Sequence, residues 1–379
     1  MKNLALVISF YELKDWSGGL SYYINLLNLI KNLKEINLSI YTDSVESLKI
    51  LKINNFVFKT IELKCLKKNN ILFYFRKLII FLFKKDYYLY FIFKKNKINI
   101  LSHRKLFKNP KIKVIGWIPD LQHKVLSNFF NENTLHEREK YILDEIKNSD
   151  SIFVSSFQVK KEFKKYYNLY ENIIPLRVMS FRNSKFIKKK SSLQNNYKFI
   201  LFPSQFWKHK NHVFIIKAAK LIKKHNLNIR FIFCGKAFDN RNKSYFSELK
   251  SKIKKDNLEN LIEILGEVSK KELIDLQHNC IAMINPSLYE GWSTINEEAR
   301  VLNKTIFLSD IPGHKEQKNY NSIYFNKNQP IHFVKKLKNY LNNKKVLKNK
   351  PFIQKNINLI TKINKESISL LKKVYQLEY

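Results

Sequence analysis

The chain has 379 residues, enough for two or three domains, and is 45% hydrophobic and 14% aromatic, which excludes a disordered basic tail. It carries 70 Lys and Arg against 31 Asp and Glu, a formal charge of +39, yet arginine, the planar fork that reads bases and clamps phosphate, is scarce. With no zinc-finger, heptad or RNA-recognition signature, nucleic-acid binding ranks third, behind a solvated lysine surface that follows an AT-rich coding bias and a face that meets anionic lipid or an anionic acceptor.

In chain order, short apolar runs alternate with longer helical patterns. "LALVISF" (4–10) predicts a strand, "DWSGGL" (15–20) a glycine loop, and residues from about Leu20 to Lys34 a helix. "LSIYT" (38–42) is the next strand. The aromatic stretch 71–93 is broken by Arg76, Lys77, Lys84, Lys85 and Asp86, leaving no apolar run of about 18 residues. It predicts a helix followed by a strand, lying against a membrane rather than crossing it. "INILS" (98–102), "KVIGWI" (113–118) and "SIFVSS" (151–156) continue the strand series. The polar, basic stretch 181–197 lacks a period and predicts a domain linker.

The pattern then restarts. "KFILFPS" (198–204), "IRFIFCG" (229–235), "IEILG" (262–266), "IAMIN" (281–285) and "TIFLS" (305–309) are strands with helices between them, and a last helix runs from about 351 to 377. Alternation of this kind predicts α/β architecture with parallel, doubly wound sheets. The expected organisation is two Rossmann-like domains, 1–185 and 186–350, with a cleft between them, closed by a helix over 351–379. Cys65, Cys234 and Cys280 form no CxxC pair and read as buried thiols in a reducing compartment. "LALVISF" is too short for a signal peptide and is followed by Glu12, Lys14 and Asp15.

In such sheets ligands bind beyond the carboxyl ends of strands. "PSLYEGWSTINEEAR" (286–300) stands at one such end. Thr294 followed by Glu297 fits a capping box, which would give Glu297 a structural role. Glu290 and Glu298 are not explained by the cap. Gly291 lets backbone approach a ligand, and a helix start offers N–H groups to phosphate, while carboxylates suit hydroxyls. Phosphate plus hydroxyls describes a nucleotide-sugar; a capped helix with two surface acids remains the plain alternative. Gly18-Gly19 could bring backbone amides to phosphate or sugar. In "FPSQFWKHKNH" (202–212), Lys208, His209 and Lys210 follow another strand end; they are either a diphosphate clamp or a solvated charge run.

Glu290 and Glu298 form an E-x7-E pair, followed by "SDIPGHKE" (309–316). This resembles the donor-site signature of family 4 glycosyltransferases, retaining enzymes of the GT-B fold. "SGGL", "WIPDLQH" (117–123) with "SIFVSS", and "FPSQFWKHKNH" resemble further segments of that family in the same order. The resemblance implies that Glu298 holds the nucleotide ribose and Glu290 contacts the donor sugar. Gly291, Trp292, Ser293 and Thr294 would line sugar and phosphate, and Lys210 would meet the diphosphate, with Gly19 approaching from the other domain. His123 would serve the acceptor side or the sugar. The family's arginine before that lysine has no counterpart; Gln205 stands near its slot and Lys208 is the nearest substitute.

The implied activity is transfer of a sugar from a nucleoside-diphosphate donor to a cell-envelope glycan or glycolipid of lipopolysaccharide, O-antigen or capsule type. It would take place at the inner, cytoplasmic face of an anionic membrane, with no nucleic-acid partner. No two aspartates are spaced Asp-x-Asp, so no metal is expected. The competing readings are another GT-B enzyme, such as a nucleotide-sugar epimerase or hydrolase, and an inactive basic membrane-binding protein.

Overall fold

A computed structural model describes residues 1–13, 16–48, 56–179, 197–239, 241–343 and 353–377. The chain divides into two compact units. One comprises Met1–Leu121, His136–Met179 and Thr361–Tyr379; the other comprises Gln122–Leu135 and Ser180–Ile360. The stretch 122–135, assigned to the first domain by sequence reading, clusters with the second unit, and the last helix, Ile353–Tyr375, is shared between the two. All but Tyr197 of the expected linker 181–197 lies outside the described residues.

The first unit is built on seven parallel strands: β1 Lys2–Ile8, β2 Ile36–Thr42, β3 Lys59–Glu62, β4 Ile100–Ser102, β5 Lys113–Ile118, β6 Ser151–Val154 and β7 Ile173–Pro175. Their order is β3-β2-β1-β4-β5-β6-β7. The second has β8 Phe199–Pro203, β9 Arg230–Cys234, β10 Ile262–Gly266, β11 Ala282–Asn285, β12 Ile306–Ser309 and β13 Ser322–Phe325, ordered β10-β9-β8-β11-β12-β13 and again parallel. Central strands such as β1 and β12 are apolar runs because helices cover both faces of a parallel sheet. β3, β7 and β13 were not anticipated: all three are short edge strands, and β3 and β13 have little buried apolar surface.

The stretch 71–93 forms two helices, Ile71–Phe83 and Tyr87–Lys95, rather than a helix and a strand. Asp86 caps the second by accepting from the Leu89 amide at 3.2 Å. Leu89 and Phe93, one helical turn apart, are both buried, so helical spacing prevails over the strand preference of the aromatics. Cys65, Cys234 and Cys280 are buried free thiols.

In both sheets the winding reverses at the centre. In the second unit the reversal lies between β8 and β11, where a doubly wound sheet opens its binding crevice.

Candidate functional site

The loops after β8 and β11 therefore leave the same end of two adjacent strands, and backbone contacts tie them together. The Leu288 amide donates to the His209 carbonyl at 2.9 Å, and Asn211 Nδ2 donates to the Pro286 carbonyl at 3.1 Å. Asn211 has φ +62, a left-handed conformation that Asn tolerates better than most residues. Its turn ends the short helical segment Lys208–Lys210 and starts the helix His212–Lys224.

This junction places Lys210 Nζ 2.6 Å from Glu290 Oε1, with both side chains largely buried. Ser287 Oγ and Asn285 Nδ2 reach the same oxygen at 2.7 and 3.3 Å. Burial pushes the Glu290 carboxyl up, but the Lys210 charge and the hydrogen bonds from Lys210 and Ser287 outweigh it and hold the group below the usual carboxylate range. Glu290 is thus ionised and fixed against a cation.

Asn285, the polar last residue of β11, is the hub beneath this pair. Its Nδ2 also reaches Ser293 Oγ at 2.9 Å and His314 Nε2 at 3.1 Å. His314 Nδ1 lies 3.0 Å from the Ser309 carbonyl, so Nδ1 donates there and Nε2 accepts from Asn285. Burial lowers the His314 pKa despite the neighbouring Glu290, which keeps the ring neutral. A side chain on Gly313 would put its Cβ 2.2 Å from the Glu290 carbonyl oxygen. "PGH" in "SDIPGHKE" thereby packs directly under the Glu290 turn.

The helix Thr294–Val301 starts one residue earlier than the expected capping box implies. Ser293, not Thr294, is the N-cap; its hydroxyl accepts from the Asn296 amide at 3.3 Å. Glu297 is therefore not the N3 partner of the cap. Its carboxylate pairs with buried Arg300 at 2.7 Å and accepts from Gln317 Nε2 at 2.8 Å. Gln317 Oε1 in turn accepts the Ser293 amide at 2.7 Å. That commits one of the amides expected for a ligand, leaving those of Gly291, Trp292 and Thr294 as the expected phosphate or sugar contacts. The Trp292 indole Nε1 is shut off from solvent and meets no acceptor among the described residues.

Glu298 points to a different partner. Its Oε2 accepts from Gln277 Nε2 at 2.6 Å. Burial pushes its pKa up to about 7, against the opposing pull of that hydrogen bond and Lys270. Gln205 lies where the chain leaving β8 passes close to that leaving β9: a Cβ on Gly235 would lie 2.3 Å from the Ser204 carbonyl oxygen and 2.9 Å from the Gln205 amide. Lys208 is exposed, its Nζ 5.2 Å from the centre of the Phe129 ring. His123 is buried on the short helix Gln122–Val125, which clusters with this second unit.

Gly19 belongs to the first unit. Gly18 and Gly19 lie in the first turn of the helix Ser17–Ile30 rather than in a loop. The Gly19 amide donates to the Trp16 carbonyl at 3.1 Å, and a Cβ would be 2.5 Å from the Trp16 ring. Packing of Trp16, which stacks on Trp117 at 5.4 Å, is what demands a glycine there. Sequence reasoning missed Asn285, Gln277 and Gln317. Asn285 had one signal, a polar residue closing the apolar run "IAMIN". Among the described residues no three His, Cys, Asp or Glu side chains are grouped as metal ligands would be.

Two doubly wound units, each on a parallel sheet, are the architecture of the GT-B fold, and comparison with known proteins agrees. Residues 183–358 match the family described as Glycosyl transferases group 1. The O-antigen chain mannosyltransferase RfbU of Salmonella typhimurium is 29% identical over 195 residues, 51% of this chain and 52% of that protein; the matched stretch thus spans about half the length of that relative. Among solved structures, the sucrose-phosphate synthase of Thermosynechococcus elongatus superposes with a TM-score of 0.72 at 13% identity, covering 100% of each chain. HepE of Anabaena, in complex with UDP-glucose, gives 0.72 at 12% identity over 98% of this chain and 100% of its own. The fold is GT-B.

Proposed function

We propose that the chain is a retaining, family 4 type glycosyltransferase that moves a sugar from a nucleoside-diphosphate-sugar to a hydroxyl of a cell-envelope glycan or glycolipid. The observation that carries this reading is the Lys210–Glu290 pair at the switch point between β8 and β11. A donor diphosphate brings two phosphates and many hydroxyls. Lys210 and the helix-start amides suit the charge that grows on the leaving diphosphate, while the ionised Glu290 accepts sugar hydroxyls. Glu298, just over one helical turn into Thr294–Val301, is the ribose partner in this reading.

Glu290 has a second duty here. It fixes the flexible lysine in one position, so the cation is in place before the diphosphate departs. No divalent ion is required by this scheme. An O-antigen or lipopolysaccharide acceptor is supported by the relative RfbU, and the setting proposed is the cytoplasmic face of an anionic membrane.

The test is thermal-shift and calorimetric titration with UDP, GDP, ADP and their sugars, GDP-mannose and UDP-glucose included, followed by transfer assays on lipid-linked glycan acceptors. Binding of one nucleotide-sugar together with transfer supports the proposal. Hydrolysis or epimerisation of the donor without transfer would replace it with the other GT-B chemistry, and no nucleotide-sugar binding would overturn it.

A further inference from the structure

The helix Ile71–Phe83 presents a row of large apolar side chains to solvent. Ile71, Tyr74, Phe75, Leu78, Phe81 and Leu82 are each more than half exposed. Their spacing places them on one stripe of the helix. The inward face carries half-buried Leu72, Phe73, Ile79 and Ile80 around Arg76, which is buried and doubly bonded to Asp86 at 2.6 and 2.8 Å. Leu72 is its contact with the apolar core of the first unit. Phe91, 59% exposed on Tyr87–Lys95, adds to the apolar surface of this helix pair.

The rim of this surface is basic. Lys77, Lys84 and Lys85 are exposed, and Lys84 lies over the Phe81 ring at 4.7 Å. Asp86 is the sole acid between residues 71 and 95, and Arg76 occupies it. Among the described residues no helix is long and apolar enough to cross a membrane. Thirteen residues at about 1.5 Å each reach roughly 20 Å, short of the roughly 30 Å hydrocarbon core.

We propose that this face is a docking surface for an anionic lipid bilayer, with Ile71–Phe83 lying in the interface and its aromatic and aliphatic stripe among the acyl chains. Charge decides for lipid over a second copy of the chain. Two such faces would press lysines against lysines with no spare carboxylate, whereas anionic headgroups satisfy the cations while the acyl region takes the apolar stripe. Phe, Tyr and Lys side by side are what a membrane–water interface favours. The proposal deepens the membrane setting given above and does not depend on the donor site.

The experiment is co-sedimentation of the full chain with vesicles of phosphatidylcholine alone or mixed with phosphatidylglycerol, over rising salt. The chain should bind the mixed vesicles, keep a salt-resistant fraction, and lose about tenfold in partitioning in Phe81→Ser/Leu82→Ser, whose removed apolar surface faces solvent. Nucleotide titration of the same variant should be unchanged, separating this surface from the donor site. Equal binding by variant and parent, or binding wholly abolished by salt, would assign attachment to the lysines at large and overturn the docking face. A lipid-free dimer that the double substitution dissociates would overturn it in favour of self-association.

Discussion

Glu298 and Lys210 are the residues on which the proposed chemistry is most exposed to test. Ribose hydroxyls donate hydrogen bonds, so they favour ionised Glu298, whose pKa burial raises to about 7. Donor binding should release a proton near neutral pH, and affinity should increase as pH rises from about 5 to 8. In the free fold the sign is the reverse: this raised group favours stability below the ordinary carboxylate range and withdraws it as pH climbs through about 7. Calorimetry in buffers of different ionisation enthalpy reads the proton release; none, or stronger binding at low pH, would remove Glu298 from the ribose. Glu298→Ala should lose about 1–3 kcal/mol of donor affinity. Lys210→Ala should cut turnover at least about tenfold, or about 1.4 kcal/mol of barrier, while the parent enzyme keeps its activity in EDTA. Activity restored only by added Mg²⁺ or Mn²⁺ would refute the metal-free scheme, and near-normal turnover in Lys210→Ala would shift attention to Lys208.

Elements explain why these residues stand where they do, and why the sequence disclosed some of them and hid others. β8 and β11 were legible because "FILFP" and "AMIN" are apolar runs that only a sheet covered on both faces can bury. The acids of "PSLYEGWSTINEEAR" were legible because they follow such a strand. Local sequence could not separate Ser293 from Thr294 as the cap: the choice is made by Gln317 and Asn285, which arrive from elsewhere in the chain. Glu297 was misread for the same reason, since buried Arg300 claims it. The strand expected near residue 90 became a helix through Asp86, whose pairing with Arg76 no period reveals. Gly313 gives this scale its own test. Gly313→Ala would force a Cβ against the Glu290 carbonyl, and backbone there has little room to yield. We expect lower melting temperature by about 1–3 kcal/mol of stability together with weakened donor binding. A variant that melts and binds like the parent would show that the Pro312–Glu316 helix does not support the Glu290 turn.

For the whole molecule, the chief structural fact is that the first unit is assembled from three stretches of sequence, the last beginning at Thr361. That last stretch is built into the unit. Tyr375 is fully buried and its hydroxyl donates to Ser102 Oγ at 3.2 Å. Ser367 Oγ donates to the Arg177 carbonyl at 2.7 Å, and Lys2 Nζ donates to the Gln376 carbonyl at 2.7 Å. Truncation before Thr361 should therefore unfold or grossly destabilise the first unit, since losing one buried aromatic alone costs about 3–5 kcal/mol. Hydrogen exchange resolved by segment would show β1 and β4 losing protection while β8 and β11 keep theirs; unchanged protection in β1 and β4 would refute this dependence.

The same arrangement sets an order of events on the ribosome. Synthesis runs from the N-terminus, and domains tend to fold as they emerge. Here the unit that begins the chain is the one that finishes last. Every strand of its sheet has emerged by Pro175, yet Tyr375, buried against it, follows 200 residues later. Over that interval, on the order of tens of seconds at about 5–20 residues per second, the second unit can complete itself up to Ile360. A nascent chain stalled short of Tyr375 would thus carry a finished second unit and an unfinished first one, with the Tyr375 seat at Ser102 still open to solvent and to chaperones.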